Sequence, residues 1–232
     1  MRIDKLLSVT KTASRSEAAK AAKQGRITVN GSPIRDCSAH VNELVDTVCF
    51  DGQAVIYKQF TYIMMNKPSG ILSASTDKKA RTVVDLLPHP YNSMGLFPCG
   101  RLDKDTVGLI ILTNDGELSH KLLSPKKHAE KLYHFRLSRP YDKSKHIEDG
   151  IMMDGKKTKP AVIRMASETE GDIVLTEGKY HQIKRMFEYA GSEVIYLERL
   201  SFGGVSLDSS LERGQWRILT EKEEEVLKSN AI

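Results

Sequence analysis

Cysteine is scarce: the 232-residue chain holds three, Cys37, Cys49 and Cys99, with no CxxC pair among them. An odd, scattered set fits free thiols in a reducing compartment better than a disulfide framework, so a cytoplasmic location is expected. The seven histidines, at positions 40, 89, 120, 128, 134, 146 and 181, show no ligand spacing with cysteine or with one another, which sets aside a structural zinc site. No apolar run approaches ~18 residues, against a membrane span, and the N-terminal MRIDK lacks the apolar core of a signal peptide. Neither GxGxxG after a strand nor GxxxxGK[ST] occurs, and there is no GxSxG elbow. Dinucleotide redox chemistry, P-loop nucleotide binding and serine-hydrolase chemistry therefore lose their usual signatures.

What is present is an ordinary globular composition, 40% hydrophobic and 28% charged, with length for one large domain or two unequal ones. Net charge is only +5, but it is unevenly placed. Residues 1–35 contain eight basic residues (Arg2, Lys5, Lys11, Arg15, Lys20, Lys23, Arg26, Arg35) against two acids (Asp4, Glu17), so this stretch carries eight minus two, or +6. A basic head on a nearly neutral body suits a polyanion-gripping module, with a merely solvated basic face as the plainer reading.

The head reads as helix, helix, hairpin. Ile3, Leu6 and Leu7 follow helical spacing. Ser14 precedes Glu17 by three residues, a capping-box spacing, and Gly25 closes the second helix. On that helix Arg15, Lys20 and Lys23 fall within an arc of roughly 140°, with Ala18, Ala21 and Ala22 on the other side. Arg26–Val29 alternates like a strand and Asn30-Gly31 is a hairpin turn. A boundary is expected between residues 58 and 59. Beyond it, Thr61–Met65 and Leu109–Leu112 read as buried strands, and Lys131–Leu137, Ile173–Thr176 and Glu193–Glu198 as further strands. His181–Ala190 reads as a helix with Ile183, Met186, Phe187 and Ala190 along its apolar stripe, and the last twelve residues as a short surface helix that frays. Strands dominate and helices intervene irregularly, so the fold class is α+β.

Three segments concentrate polar chemistry. Gly100–Gly108 (GRLDKDTVG) crowds charged side chains onto a loop leading into a buried strand. A carboxylate there, partly desolvated, serves as nucleophile, general base or metal ligand, unless the loop is simply solvated. In Glu177–Phe187 (EGKYHQIKRMF), Lys184 borders the apolar stripe and is placed to pair with an acid, whereas Arg185 faces solvent or phosphate. His181 is an acid–base candidate or a plain helix-start histidine. Tyr133, with apolar neighbours, is either core or a stacking platform for a base, and Lys67 in the NKPSG turn is placed to touch phosphate. An Mg²⁺ site on Asp103 and Asp105 would lack a third acidic group.

MRIDKLLS and SRSEAAKAAKQGRITVNG, within about residues 1–58, resemble the S4 RNA-binding module. MMNKPSGILSA (64–74), GRLDKDTVGLIILTNDGELSHKL (100–122), KLYHF (131–135), TKPAV (158–162), EGKYHQIKRMF (177–187) and GGVSLD (203–208) together resemble the RsuA family of pseudouridine synthases. The resemblance implies an S4-type domain over 1–58. It also implies a catalytic domain over 59–232, with a mixed, mainly antiparallel sheet flanked by helices. It implies isomerisation of uridine to pseudouridine in RNA, with a flipped-out base and without cofactor or metal. Carried over by motif, the catalytic set is Asp103, Tyr133 and Lys184. Arg101 attends base flipping, Leu102 and Ile183 are candidates for packing beside the base, and Arg15, Lys20, Lys23, Arg26, Lys67 and Arg185 are candidates for RNA contact.

Within that family the compact chain with an acidic end resembles most the small-subunit enzyme, which implies ribosomal RNA as partner. The expected substrate is a small-subunit assembly intermediate modified at uridine 516 of 16S rRNA by a monomer. A large-subunit (23S) enzyme and a non-catalytic RNA-binding ribosome-assembly factor are the alternatives.

Overall fold

A computed structural model describes residues 1–43, 45–124 and 129–231; His128 lies outside them. Contacts divide the chain into two compact units, Met1–Gln59 and Phe60–Ile232.

In the first unit α1 (Ile3–Val9) and α2 (Arg15–Lys23) precede β1 (Ile27–Val29), β2 (Ser32–Pro33), β3 (Val48–Phe50) and β4 (Gln53–Ala54), joined in the antiparallel order β2-β1-β3-β4. The Ser14–Glu17 capping box forms in full, a feature worth about 1 kcal/mol. Ala18, Ala21 and Ala22 are buried against Ile3, Leu6, Leu7 and Ile27, so small residues let α2 sit close and leave its basic face outward. Asn30 and Gly31 both take positive φ, at +51° and +82°, the twist a two-residue hairpin needs.

The second unit contains β5 (Tyr62–Lys67), β6 (Phe97–Pro98), β7 (Val107–Thr113), α3 (Gly116–Leu123), β8 (Lys131–Leu137), β9 (Met152–Met153), β10 (Lys156–Lys157), β11 (Val162–Met165) and β12 (Glu170–Leu175). It ends with α4 (Gln182–Tyr189), β13 (Val194–Phe202), β14 (Val205–Ser206), β15 (Trp216–Ile218) and α5 (Glu221–Ser229). The main sheet runs β11-β12-β8-β13-β7-β5-β15, with β14 on β13 and β6 on β7. It is antiparallel except where β13 meets β7 in parallel, making it mixed and mainly antiparallel as expected.

Burial differs along this sheet. In β7, Ile110 and Leu112 enter one core cluster and Leu109 and Ile111 the other, so both faces are covered and the strand reads as a continuous apolar run. In β8 only Tyr133, Phe135 and Leu137 face a core, while His134 is half-buried and Arg136 exposed, hence the alternation. The amphipathic α4 covers the inner face of that half: Phe187 is fully buried, its ring 4.5 Å from that of Phe135. Burial of such a side chain contributes roughly 1.5–3 kcal/mol.

The C-terminal helix corrects one expectation. Rather than fraying, α5 begins in a Thr220–Glu223 capping box, Arg217 pairs with Glu223 at 2.7 Å, and Leu227 and Ala231 are buried in the second core cluster. Its acid-rich composition hid a single inward stripe.

Candidate active site

The loop between β6 and β7 is held by its ends and from below. Gly100 and Gly108 adopt φ of +81° and +96°. At Gly108 the parallel neighbour is so near that a Cβ would stand 2.4 Å from the Arg199 carbonyl oxygen, which reserves the position for glycine. The Ser73 hydroxyl donates to Leu102 O at 2.9 Å and accepts from Leu102 N at 3.1 Å. Lys67 Nζ donates to the carbonyls of Pro68 (3.1 Å), Lys104 (3.1 Å) and Thr106 (2.8 Å). All three ammonium donors are therefore spent on backbone. Burial pushes this lysine down to about 8, against the pull of Asp105 and Asp103, so it stays charged at neutral pH.

Asp103 emerges from this frame. Its side chain is 26% exposed, with Lys184 Nζ 3.6 Å from Oδ2 and His181 Nε2 3.6 Å from Oδ1. Both partners come from the start of α4, where His181 is the N-terminal flanking residue at φ +51°. Lys184 is shared: it also donates to both oxygens of Asp105 at 2.7 Å. Burial works against charge on Asp105, and the bond and charge of Lys184 overcome it, holding this carboxyl below its ordinary range. An ammonium thus stands beside both carboxylates that a divalent cation was considered to join.

Leu102, Tyr133 and Ile183 belong to one buried cluster, at 6%, 8% and 4% exposure. They come from three different elements, the 100–108 loop, β8 and α4. Arg101, beside Leu102, is exposed. A concavity of about 350 Å³ lined by Asn66, Glu198, Leu207, Leu211 and Arg213 among others contains none of the candidate catalytic residues.

The RNA-contact expectations divide. Arg15, Lys20 and Lys23 are exposed on α2. Arg26 is also exposed but pairs with Asp51 through two nitrogens and lies over Phe50. Arg185 is tied to Asp154 by two bonds of 2.9 Å. Lys67 departs outright: at 0% exposure, its ammonium meets carbonyls and not solvent, because the turn after β5 folds back under the 100–108 loop. It is a brace for that loop, not a phosphate ligand. His181, left between two readings by sequence, lies against Asp103. Asp105, weighed in the sequence only as a metal ligand beside Asp103, is the bonded partner of Lys184.

Residues 61–189 match the RNA pseudouridylate synthase family and residues 1–43 the S4 domain. The chain belongs to the RNA pseudouridylate synthases, in their RsuA branch. It is 45% identical to an uncharacterized RNA pseudouridine synthase of Bacillus subtilis, covering 96% of both chains. It is 36% identical to ribosomal small subunit pseudouridine synthase A of Haemophilus influenzae, covering 98% of this chain and 99% of that one. The same identity relates it to the Escherichia coli K12 protein of that name, over 96% and 98%. A crystal structure of a pseudouridylate synthase superposes with a TM-score of 0.68 at 35% identity, covering 98% of this chain and 99% of that one. The protein is therefore an RNA pseudouridine synthase with an S4 module at its N-terminus. Among the described residues no helix is long and apolar enough to cross a membrane.

Proposed function

We propose that this pseudouridine synthase acts on ribosomal RNA, at uridine 516 of 16S rRNA in a small-subunit assembly intermediate, as a monomer in the cytoplasm. The single observation that supports the catalytic assignment is the placement of Asp103 between Lys184 and His181, each at 3.6 Å. The near-full-length likeness to small-subunit synthases supports the substrate.

The uridine is stacked or paired in RNA, so it is first extruded, at a cost of a few kcal/mol that phosphate contacts and aromatic stacking offset. Arg101, exposed on the catalytic loop, attends the everted nucleotide, and Tyr133, Leu102 and Ile183 line the base. Asp103 then attacks the sugar or removes a ribose proton; both routes break N1–C1′ and both use the ionised carboxylate. The base turns while held, C5 joins C1′, the C5 hydrogen leaves as a proton, and N1, freed from the sugar, takes one up from solvent. No electrons or atoms are gained overall, so an acid, its counter-ions and a shaped pocket suffice. Lys184 stabilises the anion and leaves it partly unshared, because most of its hydrogen bonding goes to Asp105.

Pseudouridine mapping of ribosomal RNA from cells with and without the gene tests the reading. Loss of one small-subunit pseudouridine supports it. Loss of a large-subunit one replaces the substrate, and no loss from either subunit's RNA removes the ribosomal assignment.

A further inference from the structure

Beside Asp103 lies an aromatic surface that the proposed reaction leaves unused. Tyr180 is 74% exposed. Its ring stacks on the His181 imidazole with centroids 3.8 Å apart and planes 19° from parallel, and that imidazole reaches to 3.6 Å from Asp103.

An exposed tyrosine on a loose loop would need no explanation, but this segment is fixed from beneath. Gln182, 4% exposed, accepts from Lys179 N at 2.9 Å and donates to Glu177 Oε1 at 2.7 Å. The same Glu177 oxygen accepts from Lys159 N at 2.9 Å. Arg185, anchored on Asp154, reaches Tyr180 O at 3.5 Å. His181 holds φ +51°, a conformation costly for a residue with a Cβ. That costly turn aims the imidazole at Asp103 while the phenol ring packs along it. Partly buried hydrogen bonds thus hold a flat, solvent-facing ring at the edge of the acid site.

We propose that the Tyr180–His181 stack is a shelf for the nucleobase adjoining the everted uridine. Extruding one base deprives its neighbour of a stacking partner, and an aromatic plane beside the pocket restores it. The shelf is already ordered before RNA arrives, so stacking there carries little further entropy cost. Stacking is tolerant of sequence, so the shelf strengthens binding without choosing the uridine.

The inference rests on the isomerase reading only for the identity of the base in the pocket. Its test measures both affinity for a small-subunit rRNA transcript and tritium release from that transcript labelled at uridine C5. Tyr180→Ala is expected to weaken affinity and raise KM about tenfold or more, leaving kcat within about threefold, while Tyr180→Phe stays near wild type. Tyr189→Ala, which removes another solvent-facing ring (57% exposed) from the far end of α4, is expected to change neither. Wild-type affinity and KM in Tyr180→Ala overturn the shelf, as does an equal loss in Tyr180→Phe, which would implicate the hydroxyl. If wild type releases no tritium, the isomerase reading fails, and the affinity comparison alone still upholds or removes the shelf.

Discussion

Lys184 Nζ lies 2.7 Å from both oxygens of Asp105 but 3.6 Å from the nearer oxygen of Asp103. The lysine is therefore bonded to the outer acid and only poised beside the inner one. Lys184→Met is expected to lower the single-turnover rate of tritium release by about 10²–10³-fold, the range for removing one charge stabiliser. Asp105→Ala, which hands Lys184 to Asp103, is expected to cost less than about tenfold on the same scale. Equal losses in the two variants would assign Asp105 a direct part in the reaction.

Lys67 predicts a stability effect with a catalytic consequence. Lys67→Met strips the donor from three carbonyls under the catalytic loop. Lys104 O keeps the Gly70 N–H at 2.8 Å, whereas a buried acceptor left unpaired, as at Thr106, costs about 1–3 kcal/mol before relaxation. Chemical denaturation should show a loss of about 1–3 kcal/mol, and tritium release should fall at temperatures where the variant is still folded. Unchanged stability would mean that the loop is held by other bonds.

The uncovered face of the sheet supplies a pH dependence. Both ring nitrogens of His134 lie 2.9 Å from carboxylates, Asp172 and Glu170. Burial opposes its charge, but these two acids outweigh burial and raise it above the model-peptide value of 6.5. A raised histidine contributes stability that is complete below about pH 6.5 and lost as pH climbs through the folded value. Denaturation midpoints should decline over that interval in wild type, by no more than about 1 kcal/mol for so accessible a pair. They should be flatter in His134→Gln. An identical decline in both would remove His134 as the cause.

The S4-type unit predicts a salt effect. Neutralising Arg15, Lys20 and Lys23 to Gln should weaken RNA binding and reduce the slope of log K against log salt by about 2 to 3. Arg26→Gln, whose charge is shared with Asp51, should change the slope less. An unaltered slope in the triple variant would make the α2 face merely solvated.

The elements most legible in the sequence were those whose signals are local. The Ser14 cap, the Asn30-Gly31 turn and the 131–137 strand were each set by neighbours within a few residues, and each formed as read. The acid and its lysine were legible as candidates, and motif resemblance supplied their roles. Lys67 was misread because its partners, Lys104 and Thr106, lie 37 and 39 residues away, and a lysine in a polar turn carries no mark of burial. Ser73 escaped, and His181 stayed between two readings, for the same reason: each is tied to the 100–108 loop by a distance that only the folded sheet creates. Cation sharing between Asp103 and Asp105 likewise depends on where α4 docks, which apolar periodicity specifies by face and not by partner.

Tritium release from C5-labelled small-subunit rRNA transcript, compared between wild type and Asp103→Asn, decides whether the carboxylate at position 103 is the reacting group. Wild type should release one tritium per modified uridine, and the variant should be slower by on the order of 10³-fold or more. Full activity in Asp103→Asn, with the protein folded and RNA bound as tightly as before, would contradict that assignment.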